Sequence, residues 1–199
     1  FLGKQCAAYG GMEFDLNPIE IYEYSDMVDY MSNFLTGANF QFQLAPAHQL
    51  QLQILDSRSA SMSDMYGDGY EQSKVPLLYT VNWNGDFGGV FKTRWSYSIM
   101  SQAKGYQSHY IALGNEVTLN NFDAFFDVMY MREGIDREGI VSGIVGNNPQ
   151  GGHLNDAEYL SLVLKAQYRF NPQWNVFVKG MYEKIEIGRA VQQECRDRY

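Results

Sequence analysis

Apolar and polar residues alternate with a period of two along most of this chain, and that rhythm constrains its fold more than any other feature. In the segment 34–45, Phe40, Phe42 and Leu44 alternate with Gln41 and Gln43. Alternation of this kind is typical of β-strands with two chemically different faces, and it excludes an amphipathic helix. Eight segments are predicted as strands: 34–45, 49–54, 75–83, 87–99, 107–119, 122–130, 158–170 and 174–182. Only 107–119 is irregular, because Asn115 interrupts its apolar face.

The connections between these strands fall into two kinds. Short connections rich in Asn, Gly and Pro, which favour tight turns, are expected at 46–48, 84–86, 120–121 and 171–173. Long polar connections cover 57–74, 101–106 and 134–157, with 15–33 before the first strand. Because the two kinds alternate, an antiparallel meander would place all tight turns at one end. Outer-membrane barrels have this asymmetry between short periplasmic turns and longer extracellular loops.

Aromatic side chains concentrate near the expected tight turns, on the apolar face. Trp83, Phe87, Phe122, Phe170 and Trp174 would form a ring at the level of the lipid headgroups. The opposite face carries long, hydrated glutamines that suit a water-filled lumen. The sequence thus predicts an all-β fold, an antiparallel meander of a transmembrane β-barrel in contact with outer-membrane lipid. The alternative is a soluble β-rich module whose apolar face encloses a ligand.

Composition narrows the function. The net charge is −8, which argues against nucleic acid as a partner, since phosphate contacts need clustered Lys and Arg. No window of 18 uninterrupted apolar residues predicts a helical membrane span. The first residues lack the pattern of a signal peptide, so either a signal has been removed or the chain begins inside a longer protein. No arrangement of nucleophile and base, no metal-ligand spacing and no cofactor motif is found, so we expect a channel rather than an enzyme.

Several motifs resemble a known family. They are Gly3-Lys4-Gln5, Gly10-Gly11-Met12-Glu13-Phe14, the hairpin FLTGANFQFQLAPAHQLQLQILDSR at 34–58, and EYLSLVLKAQYRFNPQWNVFVKG at 158–180. Together they resemble the porins of Bacteroidetes that are grouped with the phosphate-selective porins O and P, over nearly the whole chain to about Gly188.

The resemblance implies several properties that the residues alone do not give. Such porins form barrels of about sixteen strands that associate as trimers, and a full member is roughly twice as long as this chain. The chain is therefore expected to be an incomplete section of a larger barrel. We expect one barrel section at 1–188 and a charged, non-alternating tail at 189–199.

A porin acts through the charges that line its pore. The predicted lumen face carries these candidate selectivity residues: Lys92, Arg94, Glu116, Asp123, Asp127, Lys165, Arg169 and Lys179. The cations would attract anions, or alternatively these charges would pair with neighbours and serve stability. The resemblance implies a ladder of basic residues that leads anions inward, but these charges are nearly balanced, so we expect no strong phosphate selectivity.

The segment 15–33 carries a second set of charges. It contains five carboxylates and no Lys or Arg: Asp15, Glu20, Glu23, Asp26 and Asp29. Folded into the lumen as a constriction loop, it would narrow the pore and favour cations or neutral solutes. As an ordinary outer loop it would have no effect on selectivity. The function predicted from the sequence is passive diffusion of small polar or ionic solutes through the bacterial outer membrane.

Overall fold

The computed structural model describes residues 1–15, 34–56, 77–101, 107–135 and 155–187. Within these residues lie nine β-strands: β1 Leu2–Cys6, β2 Phe34–Ala45, β3 His48–Asp56, β4 Leu77–Phe87, β5 Phe91–Ser101, β6 Gln107–Leu119, β7 Phe122–Ile135, β8 Asn155–Asn171 and β9 Trp174–Ile187. A single turn of 3-10 helix, Met12–Asp15, follows β1. No helix in the described ranges is long and apolar enough to span a membrane.

The strands form one open sheet in which each strand pairs with the next along the chain. The order is β1 to β9 without a crossover, and every pairing is antiparallel. This confirms the predicted all-β meander and all eight predicted strands. Two keep their predicted bounds, four extend beyond them, and β4 and β5 begin and end a few residues later than predicted. The sequence did not predict β1, which pairs with the first half of β2 through Gln5 and Leu35.

The tight turns lie at one end of the sheet, which we call the turn rim. Three of them follow the sequence prediction, at 46–47, 120–121 and 172–173. Asn120 adopts φ of 49°, as its turn requires. The predicted turn at 84–86 is wrong, because these residues continue β4 and pair with β5 through Asn84 and Arg94.

The turn between β4 and β5 lies four residues later, at 88–90. Gly88 and Gly89 have φ of 69° and 71°, which residues other than glycine rarely adopt. Asp86 Oδ1 accepts a hydrogen bond of 2.7 Å from the Gly89 amide, and the rings of Phe87 and Phe91 stack across the turn. Gly85 instead leaves room for the Phe87 ring, because a Cβ there would lie 2.9 Å from that ring.

Replacing Gly89 with alanine should therefore destabilise the protein by about 1–2 kcal/mol, because an L-residue pays a steric penalty at positive φ. The matched control is Gly180→Ala in β9, where an added Cβ would meet nothing within 4 Å. Urea unfolding of the refolded barrel in detergent measures both. Equal stabilities of the two variants would contradict a turn at 88–90.

The two faces of the sheet differ in what covers them. The apolar residues predicted to face lipid are exposed, including Phe40 at 49% and Trp174 at 71%. On the opposite, inner face, Leu55 and Asp127 are fully buried. The continuous apolar face that the sequence assigns to lipid is thus uncovered, which is the reverse of a soluble sandwich.

The exposed aromatics follow the turn rim as predicted. Phe87, Phe122, Phe170 and Trp174 all lie beside tight turns on the outer face. Trp83 lies four residues further from the rim than Phe87 and packs edge-on against Trp95. Asn115, which interrupts the apolar face of β6, accepts a hydrogen bond of 3.3 Å from the Trp95 indole through its Oδ1. This bond accounts for a polar residue at that position.

Candidate pore lining

The inner face has a polar half and an apolar half. On the side of the turn rim it carries the charged and amide side chains of β2 to β9. Further from the rim it carries a buried apolar cluster that includes Leu35, Leu55, Leu78, Met100, Tyr110, Met129, Met131, Tyr159 and Val163. The glutamines that the sequence assigns to the lumen lie mainly in the rim half, and the apolar cluster away from the turns was not predicted. A few polar side chains, among them Ser108, Glu133 and Ser161, lie within this far half.

The rim half contains two adjoining cavities. One, of about 420 Å³, is lined by Lys92, Arg94 and Glu116 together with glutamine and asparagine side chains of β2 to β4. The other, of about 290 Å³, is lined by Asp123, Lys165 and Arg169 and shares Lys92 and Glu116 with the first. Six of the eight predicted selectivity residues therefore lie together along one continuous groove.

Charges in this groove occur as pairs between neighbouring strands. Lys92 Nζ lies 3.7 Å from Glu116 Oε2, between β5 and β6. Arg169 Nη2 donates to Asp123 Oδ2 at 2.5 Å, between β8 and β7. Lys165 lies over the Phe177 ring, with Nζ 5.3 Å from the ring centroid. The pairing favours the interpretation in which lumen charges stabilise the wall.

The part of the groove formed by β3 and β4 consists mainly of amides, with the Asp86 carboxylate near the turn rim. Asn84 donates to Gln49 Oε1 at 3.2 Å, and Asn82 donates to Gln51 Oε1 at 3.1 Å. Asn82 also donates to Asn84 Oδ1 at 3.2 Å, so the amides form a connected row. The groove thus combines an amide-rich wall with a wall of paired charges.

The remaining two predicted residues, Asp127 and Lys179, contact a segment that crosses the inner face. We call this segment, residues 7–13, the strap. Both Asp127 carboxylate oxygens accept strap amides, from Met12 at 2.9 Å and from Glu13 at 2.8 Å. Lys179 forms an ion pair with the Glu13 carboxylate, which is fully buried.

Other inner-face residues hold the rest of the strap. Gln53 Oε1 accepts from the Ala8 amide at 2.7 Å, and Ser96 Oγ accepts from the Gly10 amide at 3.2 Å. Tyr9 donates its hydroxyl to Ile111 O at 3.2 Å, and burial raises the pKa of that hydroxyl so that it stays protonated.

Only weak signals in the sequence point to the strap. Gly10-Gly11 and Gly114 allow the strap backbone to lie against β6, where a Cβ on Gly114 would come within 2.9 Å of Gly11 Cα. Glu13, Gln53 and Ser96 were not predicted as site residues, since their roles depend on contacts between distant parts of the chain.

The acidic segment 15–33 falls mostly outside the described residues. Asp15 ends the 3-10 helix, and its side chain is not described; Glu20, Glu23, Asp26 and Asp29 lie outside the described ranges. Among the residues that the structure describes, no group of His, Cys, Asp or Glu could hold a metal ion.

Comparison with protein families matches residues 1–196 to Phosphate-selective porin O and P. The chain therefore belongs to this family of outer-membrane β-barrel porins, and it contributes to a water-filled channel for passive diffusion of small polar or ionic solutes. Membership implies a channel rather than an enzyme. No curated protein and no solved structure matches the chain. The soluble ligand-binding alternative is not favoured, because the apolar face is the exposed one.

Proposed function

We propose that solutes pass along the rim groove and that this groove discriminates only weakly between anions and cations. The observation that supports this is charge pairing, since Lys92 lies beside Glu116 and Arg169 beside Asp123. A paired cation presents a dipole to a passing ion rather than a full charge, and its field falls off faster with distance. The groove then suits small polar solutes of either sign.

The charge balance of the rim half agrees with this proposal. Its basic residues are Lys92, Arg94, Lys165, Arg169 and Lys179, and its acidic residues are Glu13, Asp86, Glu116, Asp123 and Asp127. The ladder of unopposed cations implied by the family resemblance would need an excess of the first set. Phosphate selectivity is thus not part of the proposed function.

The test is the reversal potential of the protein in a planar bilayer under a salt gradient. The unmodified protein should give a value well below the Nernst limit of either ion. Lys92→Gln should shift the preference towards cations, because Glu116 keeps its charge, and Glu116→Gln should shift it towards anions. The matched control is Arg132→Gln, which removes a cation from the outer face beside Glu158 and should leave the potential unchanged. Strong anion preference in the unmodified protein would overturn the proposal.

We further propose that the acidic segment 15–33 contributes negative potential to the channel. Replacing Glu20, Glu23 and Asp26 together by their amides should then shift the reversal potential towards anions, most clearly at low ionic strength where screening is weak. An unchanged potential at low salt would mean that these carboxylates act outside the conduction path.

Three further properties remain proposals. The resemblance to porins of Bacteroidetes supports an origin in that group, and the family resemblance supports a homotrimer in the intact protein. The division into a barrel section at 1–188 and a tail at 189–199 rests on the loss of alternation in the sequence, since 188–199 lie outside the described residues. Chemical crosslinking in native outer membranes would test the trimer, and a monomer band alone would contradict it.

A further inference from the structure

We infer that the strap is a fixed constriction that sets the upper size limit for solutes in this channel. The inference rests on the channel function and concerns solute size, whereas the proposed function concerns the sign of solute charge. The two can therefore fail separately.

The strap crosses the inner face at one level. Gln53, Ser96, Gly114, Asp127 and Lys179 contact or directly face it, and each lies five positions from the turn-rim end of its strand. Five positions correspond to about 17 Å along a strand. With a strand tilt of about 40°, that places the strap roughly 13 Å from the rim, near the middle of an apolar band about 25 Å tall.

The direction of the strap is across the strands and not along them. Its contacts begin at Gln53 in β3 and end at Lys179 in β9, so six steps between neighbouring strands separate its two ends. A segment that follows one strand would leave the channel cross-section open, whereas a segment across seven strands occupies part of it. Solutes in the rim groove must pass beside the strap to go further.

The strap is held firmly, as a size filter requires. Its residues Tyr9, Met12 and Glu13 are buried. Asp127 accepts two consecutive strap amides, an arrangement that fixes both the position and the orientation of the backbone. Gly11 lies so close to the Asp127 carboxylate that a Cβ would collide with it. Asp127 is thus a positioning residue for the constriction.

The strap also divides the two halves of the inner face. On its rim side lie the paired charges and the amide row, and on its far side lie Leu55, Met129 and the other members of the apolar cluster. The two cavities lined by these polar side chains therefore lie on the rim side of the strap. Solutes that leave these cavities meet the strap next, which makes the strap the place where size is selected.

The experiment measures the size limit with uncharged solutes, so that charge effects do not enter. Proteoliposomes that contain the full chain are mixed with sugars and polyethylene glycols of graded size, and the swelling rate is recorded for each. Asp127→Ala removes both acceptors, and Gly11→Ala pushes the strap away from an intact Asp127. Both variants should admit larger solutes and raise single-channel conductance by about twofold, because flow depends on the narrowest section.

Two control variants separate a released strap from a general disturbance. Asp123→Ala removes a carboxylate from the same face of the same strand, and it should change ion preference while the size limit stays the same. Gly180→Ala adds a methyl group where nothing lies within 4 Å, and it should change neither property. Heat-modifiable migration in electrophoresis checks that each variant is folded.

The outcomes are distinct. A raised size limit in folded Asp127→Ala and Gly11→Ala, with unchanged limits in the controls, supports the constriction. If Asp127→Ala does not fold, Gly11→Ala decides the matter by itself. An unchanged size limit in folded Gly11→Ala would overturn the inference, whatever the reversal potential shows about charge.

Discussion

Arginine in place of Phe126 should impair folding into a bilayer by about 2–4 kcal/mol, the cost measured for a cation on the lipid face near the midplane. Phe126 is exposed on the outer face of β7, four positions from the turn rim. That distance corresponds to about 14 Å along the strand, which is near the middle of the apolar band. The free energy of unfolding from vesicles, obtained by urea titration, measures the effect.

The matched change on the inner face is Gln167→Arg. Gln167 also lies four positions from the turn rim, and it pairs in register with Asp123 on the neighbouring strand. Its side chain is 8% exposed and lines the 290 Å³ cavity, where a new guanidinium would lie beside the Asp123 carboxylate. This substitution should be nearly neutral. Similar penalties at Phe126 and Gln167 would mean that the two faces meet the same solvent, and the barrel interpretation would fail.

Loss of the cation that pairs with the strap should have the second large effect. Lys179→Met removes the partner of a fully buried carboxylate, since the Lys179 side chain is only 9% exposed and Glu13 is 0% exposed. Breaking a buried pair from one side leaves the other charge desolvated, so we expect a loss of about 3 kcal/mol in the free energy of unfolding. The double variant with Glu13→Gln should recover most of that loss.

The control for this prediction is an exposed pair in the same sheet. Arg132 and Glu158 approach to 3.6 Å between β7 and β8, with the Arg132 side chain 53% exposed. Arg132→Met should therefore cost less than about 1 kcal/mol. A Lys179 variant that is no less stable than the Arg132 variant would show that the strap is not anchored through Glu13.

Much of the fold could be predicted because its signal is local. In an alternating strand each residue reports the face it occupies, so Phe40 and Phe42 were assigned correctly to the outer face without knowledge of the pairing. The meander followed from the alternation of short and long connections. The position of the charged residues on the inner face could also be predicted, because residues that alternate with the outer apolar ones must point inward.

The errors arose where local signals compete. Asn84-Gly85 is a common turn sequence, but the adjacent Gly88 and Gly89 both adopt positive φ and the strand continues to Phe87. The short strand β1 could not be predicted for a different reason. Its residues LGKQC are too few to display a period, and its pairing with β2 spans more than 30 residues of sequence.

The strap and the apolar half of the inner face could not be predicted for a different reason. Asp127 accepts hydrogen bonds from two backbone amides more than 110 positions away in the chain. Nothing in the sequence distinguishes it from any other carboxylate on the lumen face. Likewise, Met129 and Met131 at inner positions break the polar pattern without indicating what covers them. Such features depend on contacts that only the assembled sheet creates.

In a membrane channel the outer face of these strands contacts lipid and the inner face contacts water. Residues 40–44 of β2 test this arrangement most directly, because all five side chains are exposed and successive ones point to opposite faces. A spin label is placed at each position in turn, in a chain whose Cys6 and Cys195 are replaced by serine and that is reconstituted into vesicles. Collision rates with oxygen, which concentrates in lipid, and with a water-soluble nickel complex are then measured.

Oxygen collisions should peak at 40, 42 and 44, and nickel collisions should peak at 41 and 43. The two profiles should be out of phase by one residue, with a period of two. High nickel accessibility at all five positions would place both faces in water and contradict the membrane channel.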